Sequence, residues 1–205
     1  MVVITMDSLF SSTFQEYVFL SVFLLWFLGE IIGSRIMPNL RGGNRLMKRR
    51  DKGSGLLIYA SVSVTIVVAF LLTADRLFLL PNWFFFLGIT LMLFGIFLRQ
   101  WSIVILGRFF STSIGVQKDQ HVVDYGPYRY IRHPSYLGAL LTFLGIGFSL
   151  ASWGAVLLFF MMFIIVYGYR ISIEEKVLAT ELGDNYSQYM KRTKRLIPFI
   201  FGLFL

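Results

Sequence analysis

Residues 137–169 read LGALLTFLGIGFSLASWGAVLLFFMMFIIVYGY. No charged side chain occurs in this stretch, and only Ala151-Ser152 divides it into two apolar runs, Leu137–Leu150 and Trp153–Tyr169. Each run falls short of the ~20 apolar residues that cross a bilayer core as a helix. The division predicts a tight helical hairpin whose tip reaches the far interface. Gly138, Gly145, Gly147 and Gly154 are expected to let its two backbones approach closely.

Three longer runs precede the hairpin. Phe14–Ile32 carries acids only near its ends, Glu16 and Glu30; Leu56–Leu72 carries no charge; and Trp83 to about Leu106 is broken by Arg99. Together with the hairpin they make five spans. The basic residues support that number. Seven lie in Arg35–Lys52, four in Arg108–Arg132 and six in Arg170–Arg195, so 17 of the 19 Lys and Arg share one side of a five-span chain. Four or six spans would scatter them. Basic loops face the cytoplasm, so the N-terminus is expected outside and the C-terminus inside. The first run has no preceding Lys or Arg and no small-residue cleavage pattern after it, so it is expected to stay as a helix rather than act as a signal peptide.

Composition agrees. The chain is 57% hydrophobic and 18% aromatic, with 15% charged residues, net charge +8 and mean hydropathy +0.71. A soluble domain carries about 25% charged residues, so a soluble monomer and a disordered chain are both excluded. The fold class expected is an all-α integral membrane protein. Its five transmembrane helices end in a short hairpin, and a cytoplasmic C-terminal helical segment closes a site. Helices one to three fall within 1–106, with a basic loop over 33–55. The second half, 107–205, divides into a loop 107–136, the hairpin 137–169 and C-terminal helices over 170–205. The basic cluster Arg35–Lys52 serves topology and lipid headgroups; no nucleic-acid partner is expected.

Only the two polar segments flanking the hairpin are long enough to build a site, and both lie on the expected cytoplasmic face. In the first, Gly126-Pro127 is a turn, and Pro134 suits the first position of the fourth helix. The proline holds His133 extended, and the first-turn amides are expected to remain available to anionic groups. In the second, Arg170 and Glu174 are four apart on one helical face, which by spacing alone also describes an ordinary i,i+4 pair. Leu178 and Leu182 continue that face, Gly183 stops the helix, Asp184 is expected to cap the next one, and Tyr186, Tyr189 and Met190 form its stripe. Leu196-Ile197-Pro198-Phe199 closes the chain at the interface. No metal site is expected: Cys is absent, His121 and His133 are 12 apart, and no HExxH occurs. There is no phosphate-binding glycine fingerprint, GxSxG or P-loop.

The strings Gly126-Pro127-Tyr128-Arg129-Tyr130-Ile131-Arg132-His133-Pro134-Ser135-Tyr136-Leu137-Gly138, Glu174-Glu175, Leu182-Gly183-Asp184-Asn185-Tyr186-Ser187-Gln188-Tyr189 and Arg195-Leu196-Ile197-Pro198 resemble the isoprenylcysteine carboxyl methyltransferase family over roughly Gly107–Phe201. RHPSY occurs also in phospholipid methyltransferases and sterol reductases; its combination with the Glu pair and the tail is more specific. The resemblance implies an enzyme that moves a methyl group from S-adenosylmethionine to the C-terminal carboxylate of a prenylated cysteine. It implies cofactor contacts from Gln117, Gln120, His121, Val122, Val123, Tyr128, His133, Pro134, Ser135, Tyr136 and Glu174, and a substrate-carboxylate contact from Arg170. Where the family often has His, this chain has Gln120, with His121 one place later.

That chemistry suits the residues. A carboxylate nucleophile is ionised near pH 7, so no general base is required. Displacement needs proximity and orientation, and a dry site favours a reaction that annihilates charge. The prenyl chain is expected to enter from lipid between the third helix and the hairpin. Partners are then a prenylated cysteine protein or another lipophilic carboxylate, and membrane lipids. The membrane is the plasma membrane of a prokaryote or the endoplasmic reticulum of a eukaryote. Three other readings stay open: a phospholipid or small-lipid methyltransferase, a sterol-reductase-like enzyme using a nicotinamide cofactor, and a membrane scaffold.

Overall fold

A computed structural model describes residues 9–36, 48–49, 53–74, 79–117 and 119–196. The side chains of the basic cluster Arg35–Lys52, and the closing segment from Ile197 to Phe199, lie outside these residues.

Six helices appear among the described residues. Helix α1 (Thr13–Ile31) starts where the Ser12 hydroxyl accepts from the Gln15 amide at 3.3 Å, which satisfies one orphan first-turn donor. Helix α2 is Ser54–Ala74 and α3 is Phe84–Leu106. Both expose large apolar residues, among them Leu56, Val64, Val67, Phe94 and Phe97. The buried residues of α2 are all small: Ser54, Gly55, Thr65, Ala69 and Thr73. Large side chains outward and small ones inward is the arrangement expected in lipid, where helix association depends on close packing. Helix α4 is Pro134–Ser149, α5 runs over Trp153–Leu182, and α6 is Asp184–Arg192. Four helices, α1, α2, α3 and α5, are long and apolar enough to cross a membrane; α4 has 16 residues, about 24 Å of helix against a ~30 Å hydrocarbon core.

The hairpin turns where expected. Ala151 takes a positive φ of 49°, and the Ser152 hydroxyl caps α5 by accepting from the Ala155 amide at 3.3 Å. Its second arm differs from expectation. It does not end at Tyr169 but continues for 30 residues to Leu182, about 45 Å. A single π turn at Phe163–Tyr167 interrupts it, and no strong stop occurs before Gly183, at φ 57°. Asp184, the expected cap of α6, sits in its first turn instead. Gly183 takes the cap position with no side-chain bond, because one left-handed residue ends α5 and starts α6.

The glycines also serve a different contact from the one expected. A Cβ added at Gly138 would lie 2.7 Å from the Gly95 carbonyl, and one at Gly145 would lie 2.7 Å from that of Gly88. The close seam therefore joins α4 to α3. Only Gly147 faces the hairpin partner, with Val156 Cα at 2.8 Å; Gly154 meets nothing nearer than 3.7 Å.

Two short pairings dress the expected cytoplasmic side. Strand β1 (Lys48–Arg49) pairs antiparallel with β2 (Gly115–Val116), each too short to show a periodicity. The tail after α6 runs parallel to the segment before α4: Arg132 N donates to Lys194 O at 2.7 Å, and His133 N to Arg195 O at 3.0 Å.

Candidate active site

A cavity of about 460 Å³ lies where the two polar segments meet the spans, within the size range of small-ligand sites. Its polar wall comes from Gln120, His121, Val122, Val123, Tyr128, His133, Ser135, Tyr136, Arg170 and Glu174, joined by Leu178, Leu182, Tyr186 and Tyr189. Its apolar wall comes from Phe23, Trp26 and Phe27 of α1, Ile58, Val62 and Ile66 of α2, and Phe143 of α4. On α2 the lining runs from Gly55 to Ile66, eleven residue steps or about 16 Å along the axis. The expected passage between the third helix and the hairpin is thus replaced: the glycine seam closes α3 on α4, and the apolar wall belongs mainly to α1 and α2.

Arg170 and Glu174 stand one turn apart on α5, and the Tyr136 hydroxyl bridges them. Arg170 Nε donates to Tyr136 Oη at 2.9 Å, and Tyr136 Oη donates to Glu174 Oε2 at 2.6 Å. Arg170 is 3% exposed. It also donates to Ser54 Oγ at 2.9 Å and to the Thr112 carbonyl at 2.6 Å, tying α5 to α2 and to the loop. Tyr136 comes from the first turn of α4. Its amide and that of Leu137 bond the His133 carbonyl at 3.1 Å each, so these two amides are not available to an anion as expected. His133 itself has φ −124° and ψ 57°, short of a fully extended conformation.

The second glutamate has a different job. Glu175 Oε1 accepts from Arg132 Nε at 2.7 Å and faces His133 Nε2 at 3.3 Å, while Oε2 accepts from Arg195 Nε at 2.8 Å. It joins the loop, α5 and the tail at one carboxylate. Tyr189 Oη adds a bond to the Tyr128 carbonyl at 2.7 Å. Burial, and next the Glu174 carboxylate, push the Tyr128 hydroxyl well above its ordinary pKa. Burial, followed by Glu174 and Glu175, does the same to Tyr186. Both therefore stay protonated and neutral near pH 7.

Two of the expected cofactor residues face elsewhere. Gln117 Nε2 donates to the Arg108 carbonyl at 2.6 Å, and its amide bonds Gln120 Oε1 at 2.8 Å. Pro134 is buried at the start of α4. Neither lines the cavity. His121 does; its ring meets Phe109 edge-on, centroids 5.1 Å apart. An ion pair lining the cavity was not anticipated from the sequence. Arg99 of α3 holds the Glu30 carboxylate with both edges of its fork, Nε on Oε1 and Nη2 on Oε2 at 2.8 Å. Its Nη1 reaches Ser135 Oγ at 2.9 Å and Ser135 O at 3.2 Å. The signal was two opposite charges inside or at the end of apolar runs, which are costly in lipid unless paired. Among the described residues no cluster of metal-ligating side chains occurs.

Bilayer-length helices around a cavity with fixed charges on one wall and an apolar surface on the other are the architecture of a multi-pass membrane protein. Residues 87–180, a little under half of the chain, match the Isoprenylcysteine carboxyl methyltransferase (ICMT) family. The chain is 36% identical over 108 residues to Protein-S-isoprenylcysteine O-methyltransferase of Schizosaccharomyces pombe, covering 52% of this chain and 46% of that protein. It is 27% identical over 154 residues to Protein-S-isoprenylcysteine O-methyltransferase B of Arabidopsis thaliana, covering 72% and 78%. The match thus spans about half of the yeast relative and most of the plant one. A solved structure of the eukaryotic intramembrane Ras methyltransferase ICMT superposes with TM-score 0.63 at 20% identity, covering 95% of this chain and 70% of the other, which shows a shared fold.

Proposed function

We propose that this chain is an integral membrane S-adenosylmethionine-dependent methyltransferase acting on the carboxylate of a C-terminal S-isoprenylcysteine or a similar lipophilic acid. The observation that carries this reading is the composition of one cavity. The Arg170–Tyr136–Glu174 chain of hydrogen bonds and the apolar wall of α1 and α2 line the same space. A phospholipid amine offers no carboxylate, so Arg170 would have to meet its phosphate instead.

The polar wall fits the methyl donor by chemistry. The Glu174 carboxylate, the rings of Tyr128, Tyr136 and His133, and Leu178 and Leu182 together suit a ligand that is cationic, ring-bearing and partly apolar. When bound, S-adenosylmethionine supplies a methyl carbon on a sulfonium sulfur. Glu174 and the Gln120–Val123 stretch would hold its polar groups, and Tyr128 and His133–Tyr136 would bound its site. Arg170, fixed by three neutral acceptors, would orient the acceptor's carboxylate through charge-assisted hydrogen bonds. Tyr128 and Tyr186 of the wall stay neutral, consistent with a reaction that withdraws no proton. The buried, largely apolar surroundings keep water from competing with the carboxylate and lower the cost of bringing opposite charges together. The prenyl chain would lie against α1 and α2.

In this reading the second half of the chain, 107–205, supplies most of the cofactor wall, and the first half supplies the lipophilic one. The chain crosses the membrane five times with its C-terminus in the cytoplasm, in a prokaryotic plasma membrane or a eukaryotic endoplasmic reticulum. The test is a methyl-transfer assay in detergent with methyl-labelled S-adenosylmethionine. A farnesylated cysteine analogue, mixed phospholipids and no acceptor form its three arms. Base-labile label on the cysteine analogue is the expected outcome. Label in phospholipid alone would move the reading to a lipid methyltransferase, and NADPH oxidation with no cofactor binding would move it to a reductase.

A further inference from the structure

The cavity already contains a carboxylate seated on a guanidinium. Glu30 presents both oxygens to the Arg99 fork, bidentate, and both residues line the cavity. Their side chains are 21% and 11% exposed, so this pair sits at the cavity surface rather than sealed in a core. The two charges come from different helices, α1 and α3, and the pair lies within the spans. An arginine at that depth is costly unless compensated. A ligand-free cavity therefore requires a resident anion on Arg99, and Glu30 is that anion.

Resting on the carboxylate reading above, in which Arg170 orients the acceptor, we infer that Arg99 of the same cavity is a second guanidinium for that carboxylate and Glu30 its internal competitor: Glu30 holds the Arg99 fork while the cavity lacks acceptor and yields it when a lipophilic carboxylate arrives. Three features support the exchange. The fork geometry that receives Glu30 is the geometry that receives any carboxylate. Ser135 anchors the third nitrogen of Arg99, so the guanidinium is held in place while its anion changes. Glu30 lies one residue before the end of α1, next to the π turn Ile32–Ile36, where the helical ladder is already interrupted. The exchange gives the cavity a filter. A neutral analogue such as the methyl ester product cannot displace Glu30, so it binds only through its apolar chain and leaves. Glu30 acts here as a specificity-determining residue.

The consequence is measurable. A ligand's apparent affinity falls by the fraction of molecules whose site is competent. A fork held by Glu30 nine-tenths of the time therefore weakens carboxylate binding about tenfold. The test compares N-acetyl-S-farnesyl-cysteine with its methyl ester on the full chain and on Glu30→Gln, which keeps the shape and loses the charge. The carboxylate probe should bind Glu30→Gln about tenfold more tightly than wild type, with the ester unchanged. The carboxylate probe, and not the ester, should also raise the melting temperature of the variant by more than that of wild type. Equal weakening of both probes would make Glu30 a structural prop and overturn the inference. Weakening of the carboxylate alone would overturn it too, by making Glu30 an aid to binding. If Glu30→Gln does not fold, Glu30→Asp serves. It keeps the charge but stops one methylene short of the fork, so a smaller gain for the carboxylate probe supports the inference and no gain overturns it. Failure of wild type to bind or methylate either probe is a different result: it removes the carboxylate reading and this inference together.

Discussion

Tyr136 shows what one hydroxyl contributes. It accepts a hydrogen bond from Arg170 and donates one to Glu174, so the i,i+4 pair that spacing suggests acts through a residue of another helix. Tyr136→Phe removes both bonds and leaves the ring. Hydrogen bonds to charged groups contribute about 1.5–3 kcal/mol, so methyl transfer should fall about tenfold or more, with thermal stability less affected. Steady-state rates set beside melting curves check this. Glu175, one residue from Glu174, behaves differently because it points at the loop and tail. Glu175→Gln leaves Arg132 and Arg195 without their carboxylate, and breaking such a buried pair costs about 3 kcal/mol. Its expected signature is a lowered melting temperature and increased proteolysis of the tail, which limited digestion would show. In the sequence the two glutamates look alike; which one faces the cavity follows from 100° of rotation on α5 and was not readable without its neighbours.

At the scale of elements, the decisive contact is the seam between α3 and α4. Gly88 and Gly95 on one helix meet Gly145 and Gly138 on the other, which brings Arg99 of α3 against Ser135 at the start of α4. Gly138→Ala puts a methyl 2.7 Å from a carbonyl oxygen and should cost about 1–3 kcal/mol through overpacking. Gly154→Ala, with nothing nearer than 3.7 Å, should be neutral or slightly stabilising, since Ala favours the helix over Gly. Melting of the two variants side by side tests the seam; equal losses would contradict it. The seven-residue spacing of each glycine pair was visible in the sequence, but not which helix each pair faces. The same limit hid the length of α5: the apolar run stops at Tyr169, yet the backbone stays helical to Leu182, because Arg170 and Glu175 find partners on neighbouring segments.

For the whole molecule, charge asymmetry and cavity placement make one prediction about orientation. The chain has no cysteine, so single thiols report sidedness cleanly. In sealed inside-out vesicles, a membrane-impermeant reagent should label Lys191→Cys and spare Ser11→Cys; right-side-out vesicles should reverse the pattern. Labelling of both from one side would remove the five-span arrangement. What the sequence determined by itself is the set of long apolar helices, the hairpin turn at Ala151-Ser152, and two polar segments on either side of it. These follow from local hydropathy and turn chemistry, which act over a few residues. The tertiary structure alone decided that Glu30 and Arg99, 69 positions apart, share the cavity with Arg170, and that the lipophilic wall belongs to α1 and α2. Such pairings depend on which helix faces lie together. In lipid that is set by close packing of small residues and by the need of each buried charge for a partner, neither of which is written in any one segment.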